Sequence, residues 1–161
     1  MKIKIRDITL FGNEIRPRIA LIFADIISGI LLLLFLYTSL SKLADHQTFK
    51  IVLSSSPLLK PVAGVIAWLL PVTEIAIAVI LFIPVTREKG LKVSFVLLSV
   101  FTLYLAYMVI FTPALPCNCG GVLQSLTWQQ HIFFNLFFIL LSLTGITLYK
   151  KNHQRKSEPP P

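Results

Sequence analysis

The chain has 161 residues, of which 55% are hydrophobic and 14% charged, with a formal net charge of +8. That is short for two domains and far too apolar for an ordinary soluble one. The positive charge is gathered into short clusters between long apolar runs, a placement that speaks for membrane topology and against a nucleic-acid surface.

Four runs are long enough to cross a bilayer as helices, which takes about 20 apolar residues each. They cover Ile19–Leu43, Pro61–Pro84, Leu91–Thr112 and Leu126–Tyr149. In lipid a helix satisfies its own backbone groups, so the predicted fold class is an all-α integral membrane four-helix bundle. Residues 1–18 then form a basic arm, 19–149 the membrane domain, and 150–161 a basic tail ending in three prolines. The first apolar run is too long for the hydrophobic region of a secretory signal peptide, and no small-residue cleavage site follows it.

The arm alternates polar and apolar residues (Lys2-Ile3-Lys4-Ile5-Arg6) and reads as a solvated, topology-setting start, with an amphipathic surface contact as the alternative. Asp25 lies about two turns into the first span, within reach of water or Arg18, and reads as structural. Lys42, near the other boundary, is expected to snorkel its ammonium to the headgroups. In the following link Thr48–Leu53 is apolar enough for a short interfacial helix, broken by Ser54-Ser55-Ser56-Pro57. The second span carries Pro71 and Glu74 near its middle. A carboxylate at that depth must face the interior and be paired or protonated, so Glu74 is either functional or an interhelical lock.

Tyr104 and Tyr107 in the third span share a face and suit either a quinone or thiol pocket or plain aromatic packing. The fourth span opens with Thr127-Trp128-Gln129-Gln130-His131, where Thr127 and Gln130 have capping-box spacing. His131, Asn135 and Ser142 fall on one face of that helix. The tail after Tyr149 reads as disordered.

Both cysteines lie in the link between the third and fourth spans, as Pro116-Cys117-Asn118-Cys119-Gly120-Gly121. Twelve of the fifteen Lys and Arg residues fall at the end of the bundle shared by the termini and the 84–92 link. Cytoplasmic loops are rich in Lys and Arg, so both termini are expected inside and the cysteines outside an inner membrane. Disulfides persist on that side. Cα atoms two residues apart in extended chain are separated by roughly 5.5–7 Å, which overlaps the roughly 4.4–6.8 Å of disulfides. The ring so closed is strained, hence labile and oxidising. Its position before a helix N-terminus lowers thiol pKa, and His131, a turn inside, is placed to stabilise a thiolate or move a proton.

Three readings stand for the pair. One is a structural staple or idle thiols in a non-catalytic membrane anchor of a partner complex. The second is a Cu(I) or Zn site with His131. The third, favoured here, is thiol–disulfide exchange with a thioredoxin-like protein. One pair alone has no second cysteine pair to pass electrons to, so the route leads through a partner protein or a bound cofactor such as a quinone. Cys117, Cys119, His131 and Glu74 are therefore the candidate catalytic residues.

Four spans, Ser39-x-x-Lys42-Leu43 and Pro71-x-x-Glu74 resemble the broad DoxX-like membrane family, and the Cys-x-Cys link narrows the resemblance to its MauE branch. It extends over residues 18 to 150. The resemblance implies work beside a thioredoxin-like periplasmic partner in maturing an exported, disulfide-containing protein. In methylamine metabolism that substrate is the small subunit of methylamine dehydrogenase. It also implies that Cys117 and Cys119 are the redox pair, and it assigns no role to Lys42, Pro71 or Glu74.

Overall fold

A computed structural model describes residues 5–111 and 128–157, with side chains for 18–111 and 129–152. Its elements are helices α1 (Ile5–Ala44), α2 (His46–Ser55), α3 (Ala63–Phe82), α4 (Arg87–Phe111) and α5 (Trp128–Ser157), with single 3-10 turns at Lys60–Val62 and Pro84–Thr86. Among the described residues there is no strand. Four helices are long and apolar enough to cross a membrane, namely α1, α3, α4 and α5. The chain is a multi-pass, all-α membrane protein.

The four long helices pack in a ring, α1 on α3, α3 on α4, α4 on α5 and α5 back on α1. α1 leads to α3 through α2, α3 to α4 through a 3-10 turn, and α4 to α5 through the 112–127 link, and neighbours run antiparallel. Their outward faces are greasy, with Leu33, Phe82, Leu103 and Phe133 all more than 60% exposed. Lipid is the solvent that tolerates such a surface. The interior is a layer of Leu31, Phe35, Ile77, Ala78, Leu81, Leu91, Leu98 and Phe138, drawn from all four long helices.

Without a hydrophobic force between helices in lipid, close approach depends on small residues. Gly145 of α5 meets Leu91 of α4 and Ile27 of α1. A Cβ built there would lie 3.0 Å from Leu91 Cδ1 and 3.3 Å from Ile27 Cγ2. Buried Ser28 and Ser94 donate their hydroxyls back to the carbonyls of Ala24 and Gly90, which hides their polarity within one helix. The α3–α4 corner closes itself: Thr86 Oγ1 donates to Ile80 O at 2.7 Å and Arg87 Nε to Leu81 O at 3.3 Å, satisfying carbonyls orphaned at the end of α3.

The predicted interfacial helix is present as α2. It ends within the serine run, at Ser55, and Phe49 and Leu53 dock on Ala63 and Ala67 of α3. One expectation for the chain ends is corrected: the tail read as disordered is helical to Ser157. The arm is helical from Ile5 and continuous with the first span. Extending a formed helix adds one hydrogen bond for each residue ordered, whereas starting one is costly. The last turns of α5 are also basic, which suits the negative end of a helix dipole, and no glycine or proline interrupts before Pro159. The Thr127 cap lies outside the described residues.

Candidate functional site

Lys42 and Glu74 meet inside the bundle. Lys42 Nζ donates to both carboxylate oxygens of Glu74, at 2.7 and 3.0 Å. Their side chains are 4% and 8% exposed. Glu74 lies eleven residues into α3, roughly 16 Å along its axis at about 1.5 Å per residue, so the pair is well below the end of the helix. The snorkelling expected of Lys42 is overturned: its stem runs inward and its ammonium is covered. Near a membrane boundary a lysine reaches for water unless a carboxylate offers more, and here Glu74 does. Of the two readings of Glu74, the interhelical lock is physically present, tying α3 to α1.

The pair has polar company. Thr38, one turn before Lys42, lines the same cavity as the Glu74 carboxylate and donates its hydroxyl to Phe35 O at 3.2 Å. His131 and Asn135, one turn apart on α5, are 2% and 4% exposed. Their predicted shared face is therefore the inward one, and Phe138, Ser142 and Gly145 continue it. The His131 ring stands edge-on to Phe101, centroids 6.2 Å apart, and to Phe134 at 6.4 Å.

These groups line one cavity, together with Leu34, Phe35 and Leu98. Its volume is about 40 Å³, room for a few water molecules. The walls are mostly apolar and aromatic. Asn135 Nδ2 is buried and has no hydrogen-bond partner. Such a donor usually marks a site for water or a ligand.

Of the predicted site residues, then, the structure brings Glu74 and His131 to the same cavity. Cys117 and Cys119 lie outside the described residues. Tyr104 and Tyr107 do not line this cavity. Tyr107 packs on Phe111 with centroids 4.7 Å apart, so aromatic packing accounts for it. Lys42, Thr38 and Asn135 went unassigned as site residues. For Lys42 a signal existed: two opposite charges inside apolar spans are cheapest when paired.

A second polar cluster ties the other end of the bundle. Arg87 Nη1 lies 2.7 Å from Asp25 Oδ1, and the Tyr149 hydroxyl donates to the same oxygen. Asp25 thus plays the structural part predicted for it, but its partner is Arg87 of α4 rather than Arg18. Arg18 precedes it on the same helix by seven residues, about two turns, and Arg87 is carried to it by the corner that ends α3.

Comparison with known families decides the relationship. The family model for methylamine utilisation protein MauE matches residues 20–148. The chain belongs to the MauE family. The match takes in all four spans, the Lys42–Glu74 pair and the cysteine link. Comparison with curated proteins and with solved structures returns no match. This MauE-family protein is accordingly a membrane protein of the kind associated with methylamine utilisation.

Proposed function

We propose that this protein serves the maturation of an exported protein by thiol–disulfide exchange, using Cys117 and Cys119 as the exchanging pair and a thioredoxin-like protein as its partner. The observation that carries the reading is a buried cluster of ionisable groups, Lys42, Glu74 and His131, inside the half of the bundle that the cysteine link joins. Membership of the MauE family supports it further. Ionisable groups inside a membrane are costly and mark function by default.

In the exchange, a thiolate of one protein attacks the disulfide of the other and a mixed disulfide forms. The second thiolate then releases it. One pair loses two electrons and two protons and the other gains them, in the direction set by the two potentials. The link lies on the extracytoplasmic side of the inner membrane in this reading. With Lys42 folded inward, Lys50 and Lys60 are the cations left at that end against twelve at the other.

The test is the reduction potential of the pair, read by thiol trapping in glutathione or dithiothreitol buffers. A reversible two-electron transition above about −250 mV places the pair among working oxidoreductases, and one below about −300 mV makes it a staple. Cys119→Ser is expected to accumulate a mixed disulfide with the partner through Cys117.

A further inference from the structure

From the lining of the cavity we infer that this protein binds a cluster of about three water molecules between Asn135, Glu74 and His131, with which His131 exchanges a proton. The count follows from size. The cavity holds about 40 Å³, and each water takes roughly 10–15 Å³ of such space. Size alone does not fill it, since a cavity with purely apolar walls stays dry. The walls decide.

Three helices bring polar groups to this cavity. Thr38 and Lys42 come from α1, Glu74 from α3, and His131 and Asn135 from α5, while α4 contributes only Leu98 and Phe101. Asn135 Nδ2 is a buried donor with no hydrogen-bond partner, in a residue 4% exposed, and it needs an acceptor. Glu74 needs donors. Its carboxylate has about four acceptor sites, and the two bonds from Lys42 Nζ leave the others open to water. Lys42 carries three donors, of which those bonds use two. A ligand that accepts from Asn135 and donates to Glu74 in so little room is water. An anion there meets the Glu74 carboxylate, a cation meets the Lys42 ammonium, and a carbonyl group has nothing to donate.

Water beside an imidazole and a carboxylate also carries protons. Of the lining groups, His131 is the one whose charge ordinarily changes near neutrality. The charged groups that share the cavity with it are Lys42 from α1 and Glu74 from α3, and α4 brings none. In the step, one proton from the water adds to the basic nitrogen of the neutral ring, forming an N–H bond and the imidazolium. The same proton returns to water as pH rises, and no electrons move. The inference goes beyond the exchange reading and does not need it, because neither the water nor the proton involves the thiols.

The test is solid-state NMR of the full, isotope-labelled chain in phosphatidylcholine liposomes. Magnetisation started on water protons is expected to reach the Asn135 side-chain amide as fast as the exposed Gln129 amide. It should reach Leu31 and Ile77, in the apolar layer, far more slowly. The His131 ring nitrogens are expected to pass from the neutral to the imidazolium pattern between about pH 8 and pH 5, with the Glu74 carboxyl carbon shifting over the same step. An Asn135 amide as dry as Leu31 overturns the water site. A His131 ring that keeps one pattern across that range overturns the proton exchange. Both are read on the unaltered chain, so a misfolded variant does not shelter the proposal. Asn135→Leu, which puts hydrocarbon in the water's place, is expected to remove the water signal at Glu74 and the shift that Glu74 shares with His131. Persistence of both in that variant would overturn Asn135 as the residue that holds the cluster.

Discussion

The two ends of the bundle hold similar chemistry in different surroundings. At one, Lys42 and Glu74 are 4% and 8% exposed; at the other, Arg87 and Asp25 are 24% and 47% exposed. The N–O distance is 2.7 Å in both. What differs is who else solvates the charges. Water shares the load at Asp25, so that cluster is a clamp whose members are individually replaceable. Inside the bundle Lys42 bonds both oxygens of Glu74, and loss of either ionic partner strands a charge in an apolar interior. The buried pair also borders a cavity.

The largest effect that follows is Lys42→Met. It leaves Glu74 buried without its cation and is expected to cost on the order of 3–5 kcal/mol, read as unfolding of the full chain in mixed micelles. Replacing both partners, Lys42→Met with Glu74→Leu, is expected to recover most of that loss. A single variant as stable as the parent would show that the pair is not the lock described.

Next comes Gly145→Val at the clamp end. Its side chain enters space already taken by Leu91 and Ile27, and overpacking of this kind costs about 1–3 kcal/mol. Gly29→Ala, where an added Cβ meets nothing within 4 Å, is the control and is expected to be near neutral. Equal losses at the two glycines would mean that close helix approach is not what Gly145 supplies.

Smaller still is Arg87→Gln, expected to cost about 1 kcal/mol or less in line with exposed pairs, and to shrink further as salt rises. A loss as large as that of Lys42→Met would erase the contrast between the two ends. Asn135→Leu is the smallest: no hydrogen bond to another protein group is lost from Nδ2 and leucine displaces the water, so stability is expected to change little. A drop of several kcal/mol would mean that Asn135 is a structural member of the cluster.

Much of this could be read from the residues in order. Backbone groups must be satisfied within each span in lipid, so length and hydropathy alone determined four helices and the all-α class. The periodicity of α5 put His131, Asn135 and Ser142 on one face, and the serine run after Leu53 marked the end of α2, because both are local properties of a few turns. Which faces meet is not local. Lys42 was read as snorkelling because nothing within its own helix distinguishes a lysine aimed outward from one aimed at a residue 32 positions away. Asp25 was given Arg18 for the same reason. Rotation of each helix about its axis is set where small residues such as Gly145 let a neighbour come close. Only the packed tertiary structure therefore decided that Lys42, Glu74, His131 and Asn135 share one cavity.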